Sequence, residues 1–379
     1  MSPRCFRETI RENDPRVAVR RIVEGAGTCA PALTCVFVDS RYDLDALAAE
    51  LRKQLHGPIL ACTTAGHQTA ESGLVDTGLV AMALVTDQLR AAIEPIHHVS
   101  RFGTADARAA MSHLAMDCAP PDGPGSRFQV LLIDGMSGVE ERVSALLYGA
   151  SNGVPMVGAS AGDGQRFEKT YVFDGEYFVS DAAVVARIDT TLPHRTFGHQ
   201  YFMPLERRMV VTRAAVEKRQ ILELDGESAS AVYREAIGQK TLDGQTVAHH
   251  PLLLRWDGRD YARAIRAWDE DRLDMFCAVE EGMVVRVGEL GNLVSAAEGQ
   301  LKELQASLGG DMLALVAFTC FQRRLDNERA GEQDRYRTIM APYPLIGFCT
   351  YGEQFNGVHV NQMATGFALG NPAQAKYVP

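Results

Sequence analysis

The amino-acid sequence predicts a mixed α/β (α+β) fold made of repeated strand-helix-strand-strand units. Two observations carry that expectation. First, three apolar runs end in a polar, glycine-containing turn: PILACTTAGH at Pro58–His67, PMVGASAGD at Pro155–Asp163 and PLIGFCTYGE at Pro344–Glu353. Such a run is a buried strand whose C-terminal end opens into a turn. Second, each run follows an apolar strand and a helical or charged connector, and each precedes a loop and another apolar strand. The same order three times is a repeat at the supersecondary level, although identity between copies is low.

The elements follow from local signals. Asp14-Pro15 ahead of Val17, Ala18, Ile22 and Val23 predicts a short helix. Leu33–Val38 is a strand ended by Asp39-Ser40. Leu44, Leu47, Leu51 and Leu55 fall at helical spacing and give a helix over Asp43–Leu55. The first motif strand, Pro58–Thr64, leads through a polar loop to the strand Gly78–Val85. Arg90–His97 reads as a strand, Ala- and Met-rich Thr104–Cys118 as a helix, and Pro120–Ser126 as a loop.

The pattern then restarts. Phe128–Ile133 is a strand, Asp134-Gly135 a turn, Glu140–Ala150 an amphipathic helix and Pro155–Ser160 the second motif strand. Lys169–Phe173 and Asp181–Ile188 read as strands around a turn at Asp174-Gly175. Phe197–Arg213 and Ala214–Leu224 are expected to pair, with a turn near Asp225-Gly226, and Ser228–Ile237 is a helix. Leu252–Trp256, Arg263–Trp268 and Met275–Val279 form short antiparallel strands, followed by the strand Gly282–Gly288 and the helix Leu290–Leu308. The third unit is the strand Met312–Cys320, a charged segment over Arg323–Ile339, the motif strand Pro344–Thr350 and a closing strand over Val358–Leu369. The main boundary is placed near Asp225, dividing 1–225 from 226–379.

Composition narrows the function. A chain of 379 residues, 46% hydrophobic and 23% charged, has the balance of a globular protein with a large core. Its formal charge of 38 − 48 = −10 argues against a nucleic-acid surface and against adsorption to anionic membranes. The eight cysteines are scattered without a Cys-x-x-Cys pair, which disfavours a disulfide framework or structural zinc site and points to a reducing cytoplasm. Met1–Glu24 lacks an apolar secretory core, and no apolar run reaches membrane-spanning length. A soluble, cytoplasmic protein is expected, with a homodimer left open.

Catalytic signatures are scarce. There is no phosphate loop and no His-Glu-x-x-His. Gly158–Gly162 matches Gly-x-Ser-x-Gly, but a nucleophile elbow must lead from its strand into a helix. Here Asp163-Gly164-Gln165 leads into a polar loop, so Ser160 reads as a turn serine and no enzyme is expected. Binding is the better expectation. Gly66, Gly162 and Gly352 allow close backbone approach and outward-pointing amides, while Thr63, Thr64, Ser160 and Thr350 add hydroxyls at one strand-end rim. Glu353 adds a carboxylate able to accept an amine. Among ten histidines, the adjacent pairs His97-His98 and His249-His250 cannot aim both rings at one ion from a regular strand. His67 and His359, each just after a glycine turn, stand out as haem or metal ligands, followed by His194 and His199.

Taken together these segments resemble the FIST family of bacterial sensory proteins. The N-terminal part is carried by Leu33–Asp39, Cys62-Thr-Thr-Ala-Gly66, Asp134-Gly135 and Gly158–Asp163. The C-terminal part is carried by Arg263–Arg266, Glu281-Gly282, Gly347–Glu353 and His359–Gln362. The resemblance spans about Arg16 to Leu369, with a FIST N region over 1–225 and a FIST C region over 226–379. It implies a sensory module that binds a small ligand. Through the stand-alone NosP group it implies haem b, nitric oxide as signal, and a histidine kinase, diguanylate cyclase or phosphodiesterase as partner in signal transduction. One departure is His67, where the first motif of the family usually continues with glutamate. The alternative is a haem-free, amino-acid-like ligand held by the turn amides, Thr64, Thr350 and Glu353.

Overall fold

The computed structural model describes residues 2–117, 125–256 and 258–371. Cys118 at the end of the expected helix, and residues 120–124 of the expected loop, lie outside the described residues. The first unit runs β1 (Arg4–Ile10), α1 (Pro15–Ala26), β2 (Leu33–Asp39), α2 (Leu44–Gln54), β3 (Ile59–Thr64), the hairpin β4 (His67–Thr69) and β5 (Gly73–Val75), and β6 (Leu79–Val85). The second repeats it with β7 (Leu89–His97), α3 (Thr104–Asp117), β8 (Ser126–Ile133), α4 (Glu140–Ala150), β9 (Met156–Ser160), the hairpin β10 (Val172–Phe173) and β11 (Phe178–Val179), and β12 (Ala182–Thr190).

The third unit opens with β13 (His194–His199) and is then interrupted. The interruption holds β14 (Phe202–Ala215), β15 (Gln220–Leu224), β16 (Glu227–Ser228), α5 (Ala229–Ala236), α6 (Gly244–His249), β17 (Leu252–Trp256), β18 (Arg259–Arg263), β19 (Ile265–Trp268), β20 (Leu273–Met275) and β21 (Val284–Leu290). The unit resumes with α7 (Leu293–Ser307), β22 (Met312–Cys320), α8 (Phe321–Ala330), α9 (Gln333–Met340), β23 (Leu345–Thr350), the hairpin β24 (Glu353–Phe355) and β25 (Val358–Val360), and β26 (Ala364–Gly370).

Each unit builds the same four strands in the same order: β1-β6-β2-β3, β7-β12-β8-β9 and β13-β26-β22-β23. The middle pairs β2–β3, β8–β9 and β22–β23 are parallel, and β6, β12 and β26 run antiparallel to them. Parallel strands need a crossover, which α2, α4 and the α8–α9 pair supply. Each hairpin then leaves its own unit: β4–β5 pairs with β23, β10–β11 with β3, and β24–β25 with β9. The exchange is cyclic and ties the three sheets into one body. Their inner faces meet in a single core where Phe37 lies 4.7 Å from Phe348 and 6.0 Å from Phe318, centroid to centroid. Helices cover the outer faces: α1 and α2 on the first sheet, α3 and α4 on the second, α7 and α9 on the third. Strands buried on both sides read as near-continuous apolar runs, as in LTCVFVD of β2. The interrupting segment forms a separate eight-stranded sheet with its own core around Met209, Tyr233 and Leu252.

The repeat and the mixed architecture agree with the sequence expectation, while some elements differ. The charged segment Arg323–Ile339 is two helices separated at Gly331, whose φ of +67° suits a left-handed helix end. The closing strand Val358–Leu369 is broken into β25 and β26, with Gln362 at φ +54° between them. The expected turn at Asp225-Gly226 is present and joins β15 to β16, while β14 and β15 are joined at Val216–Lys218. Strand β1 was not expected, because RCFRETI carries three charges on an edge strand.

Candidate functional site

The three motif turns converge. The amide of Ala65 donates to Cys349 O (2.9 Å), that of Gly162 to Thr63 O (3.0 Å) and that of Tyr351 to Ser160 O (3.4 Å). Each turn thus holds the next in a closed ring, a direct result of the hairpin exchange. A second layer repeats the pattern, from Thr63 N to Tyr171 O, Ser160 N to Gly352 O and Cys349 N to Gly66 O. Thr63, Thr64, Ser160, Thr350 and Glu353 are at most 2% exposed, and Gly66, Gly162 and Gly352 are buried. The expected open rim is therefore an interior junction, and the amides of Gly66 and Gly162 bond within it, to Thr64 Oγ1 and Thr63 O. Ser160 ends a strand with no helix behind it and accepts from Gln354 Nε2 at 3.0 Å, so the elbow reading fails.

His67 and Glu353 hold corresponding places, each three residues beyond the threonine that ends a motif strand. His67 Nε2 lies 3.1 Å from Gly78 O and Nδ1 3.1 Å from Thr64 Oγ1. A carbonyl only accepts, so Nε2 carries the proton and Nδ1 accepts from the threonine. Burial pushes the ring pKa down to about 4, which keeps it neutral. Glu353 accepts from Thr350 Oγ1 and, through Oε2, from Met363 N at 3.1 Å. Burial pushes its carboxyl up to about 8. His359 is 3% exposed, with Nδ1 3.1 Å from Gln354 Nε2 and its ring packed against Gly352, where a Cβ would lie 2.4 Å from the imidazole.

The two histidines singled out in the sequence as haem or metal ligands lie inside the junction. Both nitrogens of His67 are engaged, and neither His67 nor His359 lines the cavities described next. His194 stacks on Phe128 at 5.0 Å. Among the described residues no group of three or more His, Cys, Asp or Glu is placed to hold a metal ion.

Cavities of ligand size surround the junction. One of about 240 Å³ is lined by Thr64 and Gly66 from the expected set, together with Asp163, Arg166, Asp76 and Arg324. Gly66 sits at φ +118°, which favours glycine, and a Cβ there would lie 2.6 Å from Arg324 Nη1, so a side chain would also displace the guanidinium. A second, about 400 Å³, is a cleft between the β4–β5 hairpin and helices α8–α9, with Gln68, Ser72, Arg324, Asn327, Tyr336 and Arg337 in its walls. Gln68 links that wall to the core, donating to Tyr336 Oη (3.0 Å) and accepting from Thr319 Oγ1 (3.2 Å). A third, about 500 Å³, lies among β13, α7 and the β17–β18 hairpin and is lined by Arg195, Phe197, His199, Arg259, Tyr261 and Phe355. Burial, then the charge of Arg323, push His199 down to about 3, and its Nδ1 is buried without a partner.

Sequence reasoning passed over Arg323, Asn327 and Tyr336. They lie in a segment with five arginines, and only helix phase, with Arg323 and Asn327 one turn apart among Phe321 and Asp326 on the buried face, separates inward from outward positions.

The threefold strand-turn core thus carries ligand-sized cavities around a closed central junction. The family comparison agrees: the FIST N domain matches residues 32–227 and the FIST C domain residues 229–356. The chain belongs to the FIST family, whose domains are sensory signalling modules that bind small ligands. No curated protein matches the chain. Among the described residues no helix is long and apolar enough to cross a membrane.

Proposed function

We propose that this protein is a signalling sensor whose small ligand occupies the cleft between the β4–β5 hairpin and helices α8–α9. The observation that carries the reading is the cleft's place: about 400 Å³, of ligand size, with Gln68 at its floor one residue from His67. A ligand that draws Tyr336 or Gln68 into new contacts acts on β4, which the exchange threads into the third unit's sheet. Binding is then read as a shift of α8–α9, the surface a partner would meet. The test is a thermal-shift screen with a metabolite panel on the parent and on Ser72→Trp, which fills the cleft mouth. Ligands that stabilise the parent are expected to lose their effect in the variant. Equal stabilisation of both would overturn the reading.

One observation favours a second reading, the haem b and nitric oxide reading implied by the resemblance. His199 is a neutral imidazole facing a cavity of about 500 Å³, with Phe197, Tyr261 and Phe355 as apolar walls and Arg195 and Arg259 as counter-charges for two propionates. His199 would hold the haem, whose iron supplies the nitric-oxide site when bound, and a partner histidine kinase or cyclic-di-GMP enzyme would receive the signal. Haemin titration decides it. A Soret band that His199→Ala abolishes and His67→Ala keeps is expected. A band indifferent to His199, or no band, would remove this reading.

A further inference from the structure

At the back of the cleft lies a buried arginine that forms no ion pair among the described residues. Arg323 is 2% exposed, and its Nε and Nη1 have no hydrogen-bond partner. Among the described residues no carboxylate forms an ion pair with it. The nearby carboxylates are committed elsewhere: Asp326 pairs with Arg329 at 3.7 Å and accepts from Tyr201 Oη (2.6 Å) and Gln322 Nε2 (2.8 Å), while Glu353, kept neutral by burial, bonds Thr350 and Met363. The ring of Tyr201 lies 4.6 Å beneath the guanidinium and stabilises it without neutralising it. One helical turn on, Asn327 Oδ1 is also buried and unpartnered.

Arg323 and Asn327 both face a recess of about 10 Å³, which shares Gln68, Leu74, Arg324, Asn327 and Tyr336 with the cleft. That volume admits one oxygen-sized group. A water there would give a hydrogen bond but leave a cation buried and without an ion pair, an unfavourable arrangement. The walls of the outer cleft are balanced, with Arg324 and Arg337 against Glu328 and Asp334. One negative charge is therefore missing, and it is missing at the recess.

We propose that the ligand of this cleft carries a carboxylate, one oxygen of which enters the recess and pairs with Arg323, while an N–H or O–H donor on the same ligand reaches Asn327 Oδ1. The body of the ligand fills the cleft. The inference rests on the cleft reading above and adds the ligand's chemical class. A dianionic phosphate is disfavoured because a single uncompensated cation awaits it.

The experiment uses the full chain and matched probes at millimolar concentration: benzoate against benzamide, succinate against succinamide, L-leucine against L-leucinamide, and L-leucine against 4-methylpentanoate. Calorimetric titration and thermal shift are expected to show saturable binding by at least one acid and none by its amide. Arg323→Met is expected to weaken that acid at least about tenfold, the loss of one charge-assisted bond. The same variant is expected to keep or raise the ligand-free unfolding midpoint, which a purely structural arginine would not do. Asn327→Ala, which leaves Arg323 in place, is expected to erase any preference for L-leucine over 4-methylpentanoate. Acids and amides that bind alike, no binding by any acid, or an undiminished acid in Arg323→Met would each overturn the inference. The cleft reading survives those results if amides or other neutral probes bind the parent and not Ser72→Trp. It falls with the inference if Ser72→Trp binds every probe as the parent does.

Discussion

Residues 67 and 353 occupy the same place in units one and three, yet one is histidine and the other glutamate. Both follow a strand-ending threonine by three positions and both open a hairpin that pairs with a neighbouring unit. The difference lies in the backbone each side chain meets. Gly78 and Met363 are equivalent, each accepting at its carbonyl from the amide that ends a central strand, Asp39 N at 2.9 Å and Cys320 N at 3.0 Å. In unit one the side chain meets that carbonyl and must donate, as His67 Nε2 does. In unit three it meets the Met363 amide and must accept, as Glu353 Oε2 does. A one-atom change of backbone partner reverses the chemistry required, and burial drives both side chains to their neutral forms.

The largest way to break the comparison is Glu353→Lys. It removes the acceptor for Met363 N and buries an ammonium within the field of Arg323, so a loss of about 4 kcal/mol or outright unfolding is expected. Lysine at 67 would still find Gly78 O, so His67→Lys is expected to cost less in urea denaturation. A reversed order would mean that the two sites do not differ as described. Next comes His67→Ala, which orphans Gly78 O from one of its donors and Thr64 Oγ1 from its acceptor, at about 2 kcal/mol. His67→Gln, whose Nε2 can donate to Gly78 O, is expected to recover part of that.

The pH dependence sharpens the same contrast. Glu353 is raised from 4.5 to about 8, so the folded state holds a proton that the unfolded state releases. Its stabilisation is complete below pH 4.5 and is lost as pH rises toward 8. His67 is lowered from 6.5 to about 4, so its contribution is complete above pH 6.5 and is lost as pH falls toward 4. Either group can impose a slope of at most about 1.4 kcal/mol per pH unit within its window. Glu353→Gln is expected to flatten the decline toward alkaline pH, and His67→Gln the decline toward acid. Denaturation midpoints measured across pH 4–9, subtracted from the parent's, give each difference with the shared titrations cancelled. Slopes of equal sign in the two differences would refute the assignment.

Much of this architecture was legible in the sequence, and the part that was not has a physical cause. Strand-turn runs ending at Thr64, Ser160 and Thr350 announced the repeat because strands buried on two faces are apolar throughout. Helix Glu140–Ala150 and strand Met312–Cys320 fall where periodicity placed them. The exchange of hairpins was not legible, because β4, β10 and β24 are two or three residues long and their partners lie in other units. That exchange turns an expected rim into a junction, so Thr64 and Gly66 reach a cavity while Thr350 and Glu353 do not. Arg323 could not be told from Arg324 by type or local pattern. The first is buried without an ion pair, the second bridges Asp76 and Glu328, and only the packed fold distinguishes them.

The smallest expected effect separates the next pair of equivalent residues, Gln68 and Gln354. Gln68 is satisfied at both ends, by Thr319 and Tyr336. Gln354 donates to Ser160 and lies 3.1 Å from His359 Nδ1, but its Oε1 is buried without a partner. Replacing Gln68 by leucine strands two hydroxyls and gains nothing, at a cost of about 1 kcal/mol. Replacing Gln354 by leucine also strands two groups, yet it removes an unpaired carbonyl, so the cost is expected to fall below about 0.5 kcal/mol. Urea midpoints of the two variants test the order, and a costlier Gln354→Leu would refute it. The ligand response should split the other way from mere stability. Gln68 floors the cleft and is expected to change both affinity and the coupling to β4, whereas Gln354, inside the junction, is expected to leave binding unchanged.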